Sequence, residues 1–250
     1  MMIDSDEYQK EKYIAFVDVM GFSNMVNNFT FKEFYDPDFN LTSKDTFHVV
    51  NEYYHKLLLE LYEEQKSELE ITTISDCVIV SSKTLEPLLI FLFFLQSNMI
   101  YNDGANAKIV MRGYFTKGKF VHDQKKNLIV GEAYQRAVIG EKNTKFPRIE
   151  IDKIVAEEIN VPHDILVAED PNDSKYYVNY LIREKFIDMC CRIPLSNFIE
   201  EKIQEFKEKE NIQANYIWLK DYYNRIKKYK PTKQDYYKWY SLFPPRVRDI

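Results

Sequence analysis

The strongest constraint on the fold is an apolar run near the start of the chain that carries a single charge. Residues 13–19 read YIAFVDV, with Asp18 as the charged member. A continuous apolar run of this length, rich in β-branched and aromatic residues, predicts a buried strand. A carboxylate at the end of such a strand costs several kcal/mol unless it is compensated. The sequence therefore calls for a compensating group at that strand end.

A second aspartate occupies a similar position further along the chain. Residues 70–82 (EITTISDCVIVSS) predict two short strands hinged at Ser75 and Asp76, because apolar residues alternate with smaller ones around the hinge. Two aspartates at the ends of neighbouring strands can meet, and together they suit hard divalent cations, which prefer oxygen ligands. The alternative, that each aspartate only caps a turn, is equally compatible with the spacing.

The remaining patterns indicate a mixed fold. Strand, helix and turn signals follow at residues 108–120, 132–142, 149–151 and 169–174. This order predicts an α+β fold with a mainly antiparallel sheet and flanking helices, because hairpins exclude a purely parallel sheet. His122 is predicted to lie in a turn at residues 122–127 and to need no function.

After Pro194 the pattern becomes helical, which predicts a main domain at residues 1–190 and a C-terminal helical extension at residues 191–250 packed on it.

Composition excludes several classes of protein. The 250 residues include six glycines, and none forms the G-x-G-x-x-G or G-x-x-x-x-G-K-[ST] pattern that cradles phosphate groups. The net charge of −5 gives no argument for nucleic-acid binding. Three cysteines without C-x-x-C spacing suggest reduced thiols. The most apolar run, residues 88–95, is shorter than the roughly 18 residues that a membrane span needs. We expect a cytoplasmic protein that neither binds nucleic acid nor inserts into a membrane.

Four short motifs occur in an order that resembles the class III nucleotide cyclases. Residues 16–23 (FVDVMGFS) resemble their F-x-D-x-x-G-F-[ST] opening strand, and residues 74–76 (ISD) resemble the hairpin that carries their second metal aspartate. Residues 110–113 (VMRG), followed by Gly118, are similar to the next strand, and residues 130–131 (VG) are similar to the start of the strand-to-helix segment. More narrowly, the chain resembles the pyrimidine cyclases of bacterial Pycsar anti-phage systems. That resemblance is carried by residues 112–118 (R-G-x-x-x-x-G), 131–137 (G-x-x-x-x-x-A), 146–149 (FPRI) and 216–219 (YIWL).

The resemblance implies a class III cyclase-like, ferredoxin-like fold with a two-metal site. Two Mn²⁺ or Mg²⁺ ions would be bound by Asp18, Asp76 and the backbone carbonyl of Val19. Metals about 3.5–4 Å apart suit the in-line displacement of pyrophosphate. Gly21 would let the backbone approach the substrate phosphates, and the Phe22 amide would donate to them.

The resemblance also implies a phosphate-binding arginine and a second subunit. Arg112 would bind the β- or γ-phosphate, because a guanidinium matches the geometry of phosphate oxygens. In this superfamily the metal aspartates and the phosphate arginine come from one subunit, while the groups that recognise the base and stabilise the transition state come from the other. A symmetric homodimer with two sites is therefore implied.

The chain departs from the purine cyclases at four positions. Their base-recognising lysine and aspartate correspond to Thr72 and Leu128, which argues against ATP and GTP and favours a smaller base. Their transition-state asparagine and arginine correspond to Gln135 and Ile139; Gln135 can substitute chemically, whereas Ile139 cannot. Either the enzyme is slow or another cation takes that role. The cations considered for it are Arg136, Lys142, Arg148 and Lys175.

The expected function is a uridylate cyclase that converts UTP to 3′,5′-cyclic UMP and pyrophosphate during anti-phage defence, with the product acting on a separate effector protein. The domain at residues 1–190 would be the catalytic domain. A cytidylate cyclase making cyclic CMP is the nearest alternative, because nothing in the sequence separates a 4-oxo from a 4-amino group. A purine cyclase and a catalytically weak nucleotide-binding module are the remaining alternatives.

Overall fold

The computed structural model of the chain describes residues 10–21, 68–101, 108–123, 126, 128–159, 164–187 and 194–243. Within these ranges the strands are β1 (Glu11–Val19), β2 (Leu69–Ile74), β3 (Cys77–Ser82), β4 (Met111–Asp123), β5 (Leu128–Gly131), β6 (Ile149–Ile151), β7 (Val167–Glu169) and β8 (Tyr176–Val178). The helices are α1 (Leu85–Tyr101), α2 (Glu132–Asn143), α3 (Lys153–Glu158), α4 (Leu195–Glu205), α5 (Glu210–Lys228) and α6 (Lys233–Leu242), with a 3₁₀ helix at Tyr180–Lys185.

The strands form one sheet in the order β2-β3-β1-β4-β6-β8-β7, and β5 pairs with β4 outside this path. Among the described strand pairs, β4 and β6 run parallel and the others run antiparallel. The predicted α+β fold, a mainly antiparallel sheet with flanking helices, is confirmed. The apolar strand β1 lies between β3 and β4, where both of its backbone edges are hydrogen-bonded.

Helices cover both faces of the sheet. Side chains alternate between the two faces along a strand, so Val17 of β1 belongs to the large core that includes α1, whereas Ile14 belongs to a second cluster. In that cluster Ile14 packs with Ile79 of β3 and with Ala133 and Ala137 of α2. The small alanines let α2 approach the sheet closely, on the face that also carries the side chain of Asp18.

In the C-terminal extension, helix α5 packs on the sheet at β8 through aromatic side chains. The ring of Tyr222 on α5 meets Tyr177 of β8 edge-to-face, with 5.2 Å between centroids. Its hydroxyl accepts a 3.0 Å hydrogen bond from the Leu181 amide and donates a 2.8 Å bond to Asn179. Because these groups are buried, α5 is part of the core of the described structure rather than a loosely attached tail.

One local prediction was wrong. His122 lies within β4 and not in a turn, because β4 continues past β1 and pairs its last residues with β5.

Helix α6, near the end of the chain, begins with a capping box formed by Thr232 and Asp235. In this motif each side chain bonds the other residue's backbone amide, so the first turn forms despite the nearby Pro231.

Candidate active site

Asp18 lies near the end of β1, where three strands bring their functional side chains onto one face. In the register of the sheet, Asp18 is opposite Cys77 of β3 on one side and opposite Arg112 of β4 on the other. Directly opposed residues on neighbouring strands project to the same face. The two antiparallel pairings therefore place a carboxylate, a thiol and a guanidinium beside one another.

Asp76 reaches the same place from the turn between β2 and β3. The turn consists of Ser75 and Asp76, and Ser75 adopts a left-handed φ of 57°, as tight two-residue hairpins require. Carboxylate oxygens of Asp18 and Asp76 and the sulfur of Cys77 all lie within 4.8 Å of one another. The structure therefore brings together the two aspartates predicted to bind metal.

The electrostatics of this cluster favour a bound cation. Desolvation by burial and the neighbouring carboxylate of Asp76 raise the pKa of Asp18 to about 7. Burial and the nearby carboxylates, first Asp18, also raise the pKa of the Cys77 thiol, which donates a 3.4 Å hydrogen bond to Asp18. Two carboxylates at this distance repel each other unless positive charge lies between them. An oxygen donor pair of this kind fits a Mg²⁺ or Mn²⁺ ion, and a protonated thiol is a poor ligand for such hard cations.

Arg112 is held between the aspartate cluster and α2. Its Nε donates a 2.6 Å hydrogen bond to Glu141, and its terminal nitrogen lies 3.7 Å from Asp18. Glu141 is buried on α2, and sequence reasoning assigned it no role. Because the burial of Glu141 depends on how α2 packs on the sheet, no short stretch of sequence signals this partner.

The backbone after β1 turns at Gly21, which has a φ of 83° and open space where a side chain would stand; its predicted role beside the phosphates stays a prediction. Val19 ends β1, opposite Met111 of β4, and the next amide, that of Met20, donates a 3.0 Å hydrogen bond to the Val110 carbonyl. The predicted contribution of the Phe22 amide lies outside the described residues.

Thr72 on β2 and Leu128 on β5, the positions predicted to recognise the base, have other neighbours than the two aspartates. The Thr72 hydroxyl forms a 2.8 Å hydrogen bond with Nε2 of His122, and Nδ1 of the same ring bonds Ser81 at 2.9 Å. Leu128 begins β5, opposite Asp123 and next to the strand position of His122. Sequence reasoning missed the contacts of His122 because Ser81 and Thr72, which bond its ring, are distant in sequence.

The transition-state positions share one exposed stripe of α2. Gln135 and Ile139 are four residues apart, and Lys142 follows three residues later, so the three residues lie on one helix face. Ile139 is 59 % exposed, and Gln135 and Lys142 are exposed as well. The stripe therefore faces away from the sheet of its own chain.

Three of the four cations considered for the transition state have structural partners. Arg136 donates to the Lys117 carbonyl at 2.9 Å, and Lys175 donates to Glu150 at 2.7 Å. Arg148 is only 1 % exposed and pairs with buried carboxylates, which makes it a structural residue. Lys142 and Lys175 are both exposed, and of these two Lys175 is the one that pairs with Glu150.

Solved structures of nucleotide cyclase domains share this fold. The chain is similar to the monomeric guanylyl cyclase domain of the RhoGC fusion protein from the fungus Blastocladiella emersonii, with 16 % identity and a TM-score of 0.50 over 68 % of this chain and 95 % of that one. The double mutant of the same domain gives 15 % identity and a TM-score of 0.50 over 68 % and 94 %. An adenylate/guanylate cyclase/hydrolase from Silicibacter pomeroyi gives 15 % identity and a TM-score of 0.47 over 68 % and 94 %.

No family model matches the sequence, and no curated protein matches it. The structural similarity therefore carries the assignment of the fold, which is that of the class III nucleotide cyclase domains. Within the described part of the chain, no helix combines the length and the apolarity needed to span a bilayer.

Proposed function

We propose that this chain is a nucleotide cyclase that converts UTP to 3′,5′-cyclic UMP and pyrophosphate. The observation that carries the proposal is the cluster of Asp18, Asp76 and Arg112 at one end of a sheet with the cyclase-domain fold. Two carboxylates suited to divalent cations, beside a guanidinium suited to phosphate, form a site for a metal-bound triphosphate.

The reaction is an intramolecular displacement at the α-phosphorus. The ribose 3′-oxygen forms a bond to that phosphorus as the bond to the pyrophosphate oxygen breaks, and the 3′-hydroxyl loses its proton. Two divalent ions, when bound, lower the pKa of that hydroxyl and neutralise the leaving pyrophosphate. Asp18 and Asp76 hold the ions at the strand ends, and the backbone around Gly21 leaves room for the phosphates.

Arg112 has two positions in this mechanism. In the described structure Glu141 and Asp18 hold its guanidinium, with Glu141 at 2.6 Å. A triphosphate offers the same fork of oxygen acceptors with more negative charge, so Arg112 turns toward the β- or γ-phosphate when the substrate binds. Glu141 keeps the side chain extended and oriented until then.

The site is completed by a second copy of the chain. Thr72, Leu128 and Gln135 then contribute to the site of the partner subunit. Two apolar side chains support this homodimer, since Ile74 is 55 % exposed and Ile139 is 59 % exposed. Ile74 is opposite Cys77 in the sheet, and Ile139 lies on α2, which packs on that same sheet face. Burial of this face in a dimer removes both apolar groups from water.

Lys142 supplies the transition-state charge that Ile139 cannot. It lies one helical turn beyond Ile139 on the same exposed stripe as Gln135, and its amine can reach the partner's site from there. Arg136, Arg148 and Lys175 have structural partners. A lysine acts as a point charge on the developing phosphorane oxygens, with Gln135 as the neutral hydrogen-bond donor.

A pyrimidine substrate is supported by the residues at the two base-recognition positions. Leu128 offers an apolar surface and Thr72 a single hydroxyl, so the charged pair that recognises purines is missing. The residues at 1–190 form the catalytic domain in this proposal, and the extension at 191–250 stabilises it through α5. The protein acts in the cytoplasm during anti-phage defence, and its cyclic product binds a separate effector protein.

The test is a product assay on the purified full chain. The protein is incubated with each of the four ribonucleoside triphosphates and Mn²⁺ or Mg²⁺, and the products are identified by mass spectrometry. Cyclic UMP and pyrophosphate in equal amounts are expected. Cyclic CMP as the main product identifies a cytidylate cyclase, and cyclic AMP or GMP refutes the pyrimidine assignment. Nucleotide binding without product under either metal identifies a binding module, the outcome that the apolar Ile139 favours.

A further inference from the structure

Four polar side chains form a hydrogen-bond chain that leads from a carboxylate to the proposed base-recognition position. Ser81 donates to Glu70 at 3.3 Å, Ser81 and Nδ1 of His122 are 2.9 Å apart, and Nε2 of His122 is 2.8 Å from the Thr72 hydroxyl. Ser81 is fully buried and His122 is 1 % exposed. We call this set, Glu70, Ser81, His122 and Thr72, the Thr72 hydrogen-bond chain.

The direction of each bond in the Thr72 hydrogen-bond chain follows from the number of available protons. Burial, with Lys12 nearby, lowers the pKa of His122 to about 4, so the neutral ring carries one N–H at pH 7. The hydroxyl of Ser81 has one proton, and a carboxylate acceptor forms a stronger bond than a neutral one. Ser81 therefore donates to Glu70 and must accept from Nδ1–H of His122.

The same reasoning determines which atom the hydroxyl proton of Thr72 faces. With its proton on Nδ1, the His122 ring offers only a lone pair at Nε2. The 2.8 Å bond then requires Thr72 to donate its hydroxyl proton to Nε2. The oxygen of Thr72 retains lone pairs and has no proton left to offer, so toward any further group it acts only as an acceptor.

We propose that His122 is a positioning residue that fixes Thr72 as a hydrogen-bond acceptor for the nucleotide base and thereby selects uracil over cytosine. The inference rests on the proposed function, in which Thr72 faces the base. At ring position 3 uracil carries an N–H that donates to Thr72, whereas cytosine carries a lone pair that is repelled. Leu128, the other recognition position, offers no polar group, so Thr72 decides between the two pyrimidines.

A purely structural role is the competing explanation, because the same bonds also hold the end of β4 against the β2–β3 hairpin. The two roles differ in what they change. Loss of a purely structural contact destabilises the fold and therefore affects the turnover of every substrate equally. Loss of a fixed acceptor instead changes the ratio of kcat/KM between substrates. The experiment therefore needs a tautomer measurement and a selectivity ratio.

The tautomer is measured by NMR on the full chain labelled with ¹⁵N-histidine. The chain has four histidines, and the His122 signal is assigned as the one missing from His122→Asn. At pH 7.5 we expect Nδ1 protonated and Nε2 unprotonated. The opposite tautomer overturns the proposal, because Thr72 would then accept from His122 and be free to donate to the base. This measurement needs no turnover.

Selectivity is measured as kcat/KM for UTP, CTP and 3-methyl-UTP, which lacks the N3–H. The wild type is expected to prefer UTP over each of the other two by roughly 10-fold, in line with one hydrogen bond gained or lost. Thr72→Val, which keeps the shape of the side chain, should reduce both ratios toward one. Ser81→Ala removes the acceptor that keeps the proton on Nδ1 of His122, so it should also reduce both ratios. This variant replaces His122→Asn if that one does not fold. Asp221→Asn, at an exposed position of α5, is the control and should keep the wild-type ratios.

Unchanged ratios in Thr72→Val and Ser81→Ala, or a wild-type preference for CTP, would overturn the proposal. If the chain yields no cyclic nucleotide, the proposed function fails separately, and calorimetric affinities for the same three nucleotides replace kcat/KM. Equal affinities for UTP and 3-methyl-UTP would then overturn the inference, and a roughly 10-fold difference that Thr72→Val removes would support it.

Discussion

Two charged groups of the same sheet, the half-buried Asp18 on β1 and the buried Arg148 just before β6, have opposite surroundings. Arg148 is 1 % exposed and forms ion pairs with Asp170 at 2.6 Å and with Glu150 at 2.8 Å. Asp18 has another carboxylate, Asp76, as a close neighbour, and an arginine only at 3.7 Å. The charge of Arg148 is compensated by close partners within the chain, whereas Asp18 shares a more distant arginine with Glu141.

Aromatic rings complete the surroundings of Arg148. Its guanidinium lies over Phe146, Tyr177 and Trp218, at 5.4 to 5.8 Å from the ring centroids. The Trp218 indole also donates to Asp170. Although burial opposes ionisation, the Asn172 amide, this indole and Arg148 keep the pKa of Asp170 low. A buried charge with such partners stabilises the fold, whereas a half-buried pair of carboxylates suits the binding of a cation.

The largest expected effect comes from removing the clustered carboxylates. Asp18→Ala and Asp76→Ala should each reduce kcat/KM by at least about 1,000-fold, because the proposed two-metal centre would lose a ligand. The thermal midpoint without metal should not fall, since the repulsion between the two carboxylates is removed. Turnover and melting curves with and without Mn²⁺ check this. Mn²⁺ should stabilise the wild type and Asp221→Asn but neither alanine variant, and surviving turnover would refute the metal assignment.

Removing the charge of Arg148 should lower the stability of the fold. Arg148→Met leaves Asp170 buried without its ion-pair partner and leaves Glu150 with Lys175 alone, so the free energy of unfolding should fall by about 3–5 kcal/mol. Denaturant unfolding measures the loss. Lys153→Met is the control, because Lys153 is 83 % exposed and pairs only at the surface with Glu157, and it should change stability by less than about 0.5 kcal/mol. A loss below about 1 kcal/mol for Arg148→Met would contradict the structural role.

His122 represents a third case, a buried polar group kept neutral by its environment. Its pKa is about 4 in the folded chain and 6.5 in the reference state, so the unfolded chain binds the extra proton between these values. The stability of the wild type relative to His122→Asn should therefore be constant above about pH 7 and decrease as the pH falls from 6.5 to 4, by up to about 3 kcal/mol. The comparison with this variant is needed because the raised pKa of Asp18 makes the opposite contribution over the same pH range. Unfolding free energies of the wild type and of His122→Asn across this range test it. Parallel pH profiles would show that His122 does not titrate as described.

The smallest effect is expected from the exposed cation proposed to act in the partner's site. Lys142→Ala should lower kcat about 10-fold with little change in KM, because the charge is used in the transition state and not in substrate binding. Stability should stay within about 0.5 kcal/mol of the wild type. Steady-state kinetics with UTP measure kcat and KM separately. Lys153→Ala on α3 is the matched lysine control. A rise in KM at constant kcat would instead assign Lys142 to phosphate binding.

Strongly local patterns in the sequence were sufficient for the strands that carry the site. The apolar run of residues 13–19 predicted β1, and the hairpin predicted at Ser75 and Asp76 is confirmed as β2 and β3. The register of these strands then places Asp18 beside Cys77 and near Asp76, which the sequence anticipated as two aspartates meeting at strand ends. The assignment of these aspartates to metals stays a prediction.

Long-range burial decided what local patterns could not. His122 follows a strand pattern and precedes polar turn residues, so a turn was a reasonable prediction, yet pairing with β5 extends β4 and buries the ring between Ser81 and Thr72. Glu141 became the partner of Arg112 only because α2 packs across β4. Neither contact has a signature within a short window of sequence.

By itself, the sequence determined the α+β class, the central strand and the two aspartates, because periodicity and an isolated charge in an apolar run are local properties. Only the tertiary structure showed that Arg148 is a buried structural cation while Lys142 is exposed. It alone also showed which residues Thr72 contacts. The physical reason is that the cost of a buried charge or the direction of a hydrogen bond depends on which distant groups share the same low-dielectric space.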